Sequence, residues 1–321
     1  MNENVNVKGR TKRIWLKLPR WLRISILSSA SILAVILLAV VVCWLYLHPQ
    51  VDRTDGVQYG ERNGMPLMLD VVRPSRPNGR GIVFMVSGGW RSPDSGDAPT
   101  WMMSPLLRRG YTLFPIYHIS QPKATVMEII EDMHRGVRFV RKNAEKYNIA
   151  PMHIGITGGS AGGHLSLMLA TRAGPGASDP IDEEIKQTSS AVQAVAIFYP
   201  VTDLLNLGES TENPGDGGPP KSFVKAFGPT AQDMEAWKEI GRDCSPIYHL
   251  SADLPPTLIY HGDADTLVPL EQSQRFRDRA AELGHDVNLV VHPGGKHGWA
   301  TMFFDLFEFA DWFDSHLFPD E

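Results

Sequence analysis

His153-Ile154-Gly155-Ile156-Thr157-Gly158-Gly159-Ser160-Ala161-Gly162-Gly163-His164 continues as Leu165-Ser166-Leu167-Met168-Leu169-Ala170. A short apolar run, a break into glycines around one serine and a second apolar run predict a strand, a very tight turn and a helix. The G-x-S-x-G spacing from Gly158 to Gly162 fits such a reversal, where the crowded backbone leaves no room for Cβ atoms nearby. Ser160 is expected at the tip of the turn with its side chain exposed. Five residues of this kind are weak evidence alone; the strand-turn-helix context gives them weight.

Working outward, the same grammar repeats. Val57-Gln58-Tyr59 and Leu67–Val72 predict two strands joined by a turn at Asn63-Gly64. Ile82–Val86 has no polar alternation, as in a strand buried on both faces of a parallel sheet. A helix at about Trp101–Arg109 leads to a strand at Tyr111–Tyr117 that carries an internal proline, Pro115. Thr125-Val126-Met127-Glu128 has capping-box spacing. It opens a helix with Ile129, Ile130, Met133, Val137 and Val140 at helical period, ending near Asn148. After Ser160 come a strand at Val192–Phe198, a breaker-rich loop at 206–220 and a short helical stretch to about Ile240. A strand at Pro256–Tyr260, a helix at about Glu271–Leu283 and a last strand at Val287–Val291 follow. A closing helix, Met302–Leu317, is expected to place Phe303, Leu306, Phe307, Ala310 and Phe313 on one packed side. Eight strands with helices between the later ones predict an α/β domain with a mostly parallel sheet, in which sites form beyond the strands' carboxyl ends.

The 321 residues are 43% hydrophobic and 21% charged, which suits one large domain plus an appendage. Seven of the 31 Lys/Arg (Lys8, Arg10, Lys12, Arg13, Lys17, Arg20 and Arg23) lie in residues 1–23, with Glu3 the one acid there. The rest carries 24 cations against 35 acids, which argues against a surface for nucleic-acid phosphates. No charge occurs from Ile24 to Leu47, and 24 helical residues at about 1.5 Å each span roughly 36 Å, enough for a bilayer core of about 30 Å. The run ends in bulky Val40-Val41-Val42-Cys43-Trp44-Leu45-Tyr46, unlike the small-residue site of a cleaved signal peptide. We therefore expect a cytoplasmic tail at 1–23, a transmembrane anchor at 24–47 and an outward-facing body at 50–321, the alternative being secretion after signal cleavage. Trp15, Trp21, Trp44 and Tyr46 suit interfacial belts. Cys43 lies in this apolar stretch, so no disulfide with Cys244 is expected.

A serine hydroxyl is a weak nucleophile until a base takes its proton, the base needs an orienting acid, and the developing oxyanion needs preplaced donors. His261-Gly262-Asp263-Ala264-Asp265-Thr266-Leu267-Val268-Pro269 follows one strand and His292-Pro293-Gly294-Gly295-Lys296-His297-Gly298-Trp299 the last. The order is Ser, Asp, His. Asp203, after Tyr199-Pro200-Val201-Thr202, is a rival acid, and the Asp263/Asp265 pair is too slight for a metal site. His118, His164, His261 and His292 are expected to be structural or loop residues.

This arrangement resembles the α/β-hydrolase fold. Within it, it resembles the carboxylesterases that carry H-G-G-G-W, G-x-S-A-G-G-H and H-G-x-x-D-x-x-V-P motifs, the last shared with the prolyl oligopeptidases. The resemblance covers about residues 55–318. It implies Ser160 as nucleophile, Asp265 as acid and His297 as base. Where those esterases have His-Gly-Gly-Gly-Trp, this chain reads Val86-Ser87-Gly88-Gly89-Trp90. Oxyanion stabilisation uses backbone N–H groups, so Gly88, Gly89 and Ala161 remain the expected donors.

The expected activity is hydrolysis of small carboxylic esters through an acyl-enzyme, with no metal or organic cofactor and no nucleic-acid partner. Only about 50 residues precede the hydrolase strands and hold no peptide-gripping domain, so esters rather than peptides are the expected substrates. Specificity would come from the 206–220 stretch and the helical piece after it, a lid insertion at about 206–245. The alternatives are a prolyl-oligopeptidase-like peptidase and a catalytically silent binding module.

Overall fold

The computed structural model describes residues 19–173, 185, 187–251 and 253–318. They fall into two units, divided between Pro49 and Gln50. In the first, helix α1 (Arg20–Leu47) runs 28 residues with no buried side chain. It starts four residues before the expected span. Its length and composition suit a membrane anchor and a signal sequence alike. Of the seven cations of the basic tail, Arg20 and Arg23 are described; Lys8, Arg10, Lys12, Arg13 and Lys17, with Trp15, lie outside the described residues.

The second unit alternates strands and helices. The strands are β1 (Val51–Arg62), β2 (Met65–Pro74), β3 (Gly81–Met85), β4 (Thr112–Ile116), β5 (Ile154–Gly159), β6 (Ala194–Phe198), β7 (Thr257–Gly262) and β8 (Val287–His292). The helices are α2 (Ser104–Arg108), α3 (Val126–Lys142), α4 (Ala144–Tyr147), α5 (Ala161–Thr171), α6 (Met234–Asp243), α7 (Glu271–Glu282) and α8 (Met302–Leu317). One sheet forms in the order β1-β2-β4-β3-β5-β6-β7-β8, with β1, β2 and β4 paired antiparallel and every later pair parallel. This is the predicted eight-stranded, mostly parallel α/β sheet. β5, which carries Ser160 at its end, lies inside it, whereas β8 pairs among the described residues with β7 alone and is half-exposed.

The unalternating apolar strands pack on both sides. Val83 and Met85 of β3 and Val195 and Ile197 of β6 face one core with Ile129, Met133 and Val137 of α3 and Leu165 of α5. Their neighbours Ile82, Ala194, Ala196 and Phe198 face a second core with Leu106 of α2 and Leu306, Phe309 and Phe313 of α8. Successive strand residues point to opposite faces, so only a strand covered by helices on both faces can be apolar throughout. The capping box forms as predicted: Thr125 Oγ1 accepts from the Glu128 N–H at 3.3 Å, and Glu128 Oε2 accepts from the Thr125 N–H at 2.7 Å. The helix it opens ends earlier than expected, at Lys142, and a separate turn, α4, reaches Asn148 in the left-handed conformation.

One further detail departs from the sequence reading. The buried stripe of α8 is Leu306, Phe309, Ala310, Phe313 and Leu317, while Phe303 and Phe307 are only partly covered. Phe313 is buried as expected and lies over Gly155 of β5, where a Cβ would meet its ring at 2.6 Å. Pro115 sits in β4 between two neighbours. It is tolerated because the β2 side pairs only through Leu69 with Ile116 and Val72 with Leu113, so no ladder bond is required of it there.

Candidate active site

Ser160 stands between β5 and α5 with φ 55° and ψ −121°. A serine at positive φ costs on the order of 1–3 kcal/mol, and the surrounding chain holds it there. Its N–H donates to Phe198 O at 3.1 Å. Gly158 and Gly162 flank it because the reversal brings them together: a Cβ on Gly158 would lie 2.6 Å from the Gly162 carbonyl, and one on Gly162 would lie 2.5 Å from Met85 O.

His297 arrives on the loop after β8, and its Nε2 accepts from the Ser160 hydroxyl at 2.9 Å. On the far side of the ring, Nδ1–H donates to Asp265 Oδ2 at 2.7 Å. A carboxylate only accepts, so this bond fixes the tautomer with the lone pair facing Ser160. Asp265 is buried, and its other oxygen takes the Leu267 and Val268 N–H groups at 3.0 Å each. The loops bearing acid and base are locked together: Ala264 N–H donates to Gly295 O at 2.9 Å, and Gly294 N–H donates to Asp263 Oδ1 at 2.7 Å. Gly262 has no room for a Cβ against the Gly295 carbonyl. Asp263 is thus a loop brace. Asp203, the rival acid, instead caps its own turn through the Leu205 and Asn206 N–H groups at 3.1 Å and receives Tyr248 Oη at 3.2 Å.

The loop after β3 requires a correction. Gly88 and Arg91 exchange both backbone hydrogen bonds, at 2.9 and 3.0 Å, around a two-residue turn whose central residues, Gly89 and Trp90, both have φ 55°. The Gly88 N–H is spent inside that turn. Gly89 and Ala161 keep N–H groups that make no hydrogen bond among the described residues, and both line the same cavity as Ser160.

The remaining site histidines are buried and neutral. Trp90 Nε1–H donates to His164 Nδ1 at 3.1 Å, and His164 Nε2–H donates to Cys244 O at 2.6 Å. That bridge joins the final residues of the two glycine motifs, and burial pushes His164 down to about 4. His261 takes the Ser273 hydroxyl at 2.7 Å and donates to Val268 O at 2.7 Å, bracing the acid's loop; burial lowers its pKa. Tyr199, to which the sequence assigned no role, has φ 33° and lays its ring 4.5 Å from that of His297. Its only sequence signal is a place at the end of β6, shared by any residue there.

These groups open on a cavity of about 460 Å³. It is lined by Ser160, His297 and the Ser87–Gly89 segment together with the apolar side chains of Val201, Leu204, Leu207, Leu267 and Val268. Ser210, Pro220 and Phe223, from the segment read as a lid, also line it. Chemically, the arrangement offers an alcohol nucleophile hydrogen-bonded to an oriented imidazole base, beside two N–H donors that have no partner among the described residues.

The chain is similar to known proteins over this whole unit. It is 31% identical to "Probable carboxylic ester hydrolase LipM" of Mycobacterium tuberculosis, over 71% of this chain and 51% of that protein. It is 30% identical to "Esterase LipQ" of the same organism, over 77% of this chain and 57% of that protein. The chain therefore spans about half the length of the curated relatives it matches. Among solved structures, a "Truncated form of carbohydrate esterase from gut microbiota" superposes with TM-score 0.69 at 27% identity, covering 84% of this chain and 97% of that one. The sequence model of the family described as BD-FAE matches residues 69–280. With its eight-stranded sheet, glycine-flanked serine elbow and family match, the chain belongs to the BD-FAE family and has the α/β-hydrolase fold.

Proposed function

We propose that the chain is a serine hydrolase of small carboxylic esters, and the observation that carries this reading is the unbroken hydrogen-bond chain Asp265–His297–Ser160 at the cavity wall. Ser160 Oγ attacks the ester carbonyl while His297 Nε2 takes its proton, and Asp265 holds the ring and stabilises the imidazolium. The Gly89 and Ala161 N–H groups receive the oxyanion. His297 then protonates the departing alcohol, and a water activated by the same ring releases the acid from Ser160. The test is covalent labelling by a fluorophosphonate and turnover of p-nitrophenyl acetate or butyrate, both abolished in Ser160→Ala. A folded wild-type protein that does neither is a binding module instead.

The relatives' names support ester chemistry, and that of the structural neighbour supports an acyl group carried on carbohydrate. The cavity falls within the roughly 300–1,000 Å³ that hold a ligand of drug size, so a short acyl chain and its alcohol share it. Segment 206–245 acts as the lid that shapes this space. Long-chain esters should be poor substrates and dipeptide amides inert; comparable kcat/KM on a prolyl amide would replace the esterase by a peptidase.

The chain is anchored by α1, with residues 1–23 in the cytoplasm and the body outside, because the cations gather at and before the N-terminal end of α1 and its stretch from Ile24 to Leu47 is uncharged. Protease added to intact cells should remove the body. Protection until lysis would reverse this topology.

A further inference from the structure

The motif departure at Val86-Ser87 replaces a glycine by a side chain beside the oxyanion donors, and the structure gives that side chain a partner. Ser87 Oγ lies 2.8 Å from Nε2 of His118, which follows β4. The other ring nitrogen of His118 lies 3.0 Å from Ile119 O, a group that only accepts, so Nδ1 carries the proton. Nε2 is then the acceptor and the Ser87 hydroxyl the donor. His118 is 7% exposed, and burial pushes it down to about 4, so the pair is neutral and fixed near neutral pH.

We propose that Ser87 is a positioning residue for the oxyanion site, held by His118 and acting through the two N–H groups on either side of it. On one side the Ser87 carbonyl accepts the Gly162 N–H at 3.1 Å, one residue past Ala161 in the first turn of α5. On the other side Ser87 leads through Gly88 into the turn that aims the Gly89 N–H. One residue therefore spans the gap between the two donors. The segment bearing His118 is stitched to the same loop further along. Gln121 N–H donates to Trp90 O at 3.0 Å, Ser92 N–H donates to Ser120 Oγ at 3.0 Å, and Gln121 Nε2 reaches Gly89 O at 3.4 Å. Within this seam the Ser87–His118 bond is the one nearest the point where the loop touches α5. The esterases of the resemblance have histidine and glycine where this chain has Val86 and Ser87, so this chain fixes its loop from β4 rather than from within the motif.

This inference rests on the esterase reading, and the experiment separates the two. Kinetics on p-nitrophenyl butyrate and the inhibition constant of a trifluoromethyl ketone, which forms a tetrahedral adduct with the nucleophile, are measured for wild type, Ser87→Ala, His118→Ala and the double variant. Displaced donors cost less than the roughly 10²–10³ lost when a donor is removed, so kcat in Ser87→Ala should fall about tenfold with KM within twofold of wild type. Ketone affinity should weaken by the same factor, and the double variant should be no worse than the more affected single one. Thermal melting of Ser87→Ala within a few degrees of wild type separates this from unfolding, and that variant alone decides if His118→Ala does not fold. Unchanged kcat and ketone affinity in Ser87→Ala would overturn the proposal. So would a change confined to KM, which would make Ser87 a substrate contact. A wild type that neither turns over the ester nor reacts with a fluorophosphonate would overturn the esterase reading itself.

Discussion

At the scale of single residues, chemistry and scaffolding use the same residue types, and only hydrogen-bond partners tell them apart. Asp203, Asp263 and Asp265 all follow strands, but Asp265 alone meets His297; Asp263 ties down Gly294 and Asp203 caps its own turn. Loss of the acid in the serine-protease template leaves the wrong tautomer and costs about 10⁴ in kcat. Asp265→Asn should therefore lower kcat on p-nitrophenyl butyrate by roughly that factor. Asp203→Asn should leave kcat within a few-fold, because the residue it disturbs is Tyr248 and not the base. Equal losses would sink the assignment. Asp265 was favoured in sequence by its place in the H-G-x-x-D-x-x-V-P pattern of the resemblance, with Gly262 before it and Val268-Pro269 after it. Gly88 was misjudged because nothing in a one-dimensional string announces that an N–H is already used in a two-residue turn. Tyr199 was missed for a related reason: its ring reaches His297 only through the fold.

At the scale of elements, the legible parts were those where a local rule and the fold agree. Helix α3 has both a capping box and five apolar residues at helical period, all five at most 2% exposed. Removing the cap acceptor in Thr125→Ala should cost about 1 kcal/mol in urea unfolding without changing kcat. A neutral effect would mean that the packing of the helix alone holds its first turn. The phase of α8 was harder to read, because nine of its sixteen residues are Phe, Leu, Met or Trp and several faces qualify. Phe313, which packs over Gly155, was read correctly, whereas Phe303 and Phe307 stay partly covered and Phe309 and Leu317 are buried, because a helix cannot reveal the shape of the surface beneath it. Pro115 was equally ambiguous in sequence. Its strand is interior, yet one side of the ladder is sparse enough to accept it.

For the whole molecule, burial of histidine sets the response to acid. Burial pushes His118 and His164 down to about 4 and His134 down to about 3 from an ordinary value near 6.5. Above 6.5 these groups are neutral whether the chain is folded or not, and contribute no pH dependence. Between 6.5 and 4 the unfolded chain binds protons that the folded chain refuses, so stability falls with pH by up to about 4 kcal/mol per unit when all three act together. Asp132, pushed up to about 6 by burial against the opposing pull of Arg62, works the other way and offsets about one of them below pH 6. Denaturant unfolding should therefore show a steep loss of stability from pH 6.5 to 4.5. A flat profile would mean that these histidines are not buried in solution.

The placement of nucleophile and base in the sheet has a consequence of another kind. Ser160 rides on an interior strand, while His297 hangs from β8, which among the described residues has a neighbour on one side only. The molecule's working margin is therefore set at its border and not in its middle. Fraying of a single six-residue segment disarms the site while the remaining seven strands keep their pairing, so function should fade during heating before the bulk of the fold gives way, and should return on cooling.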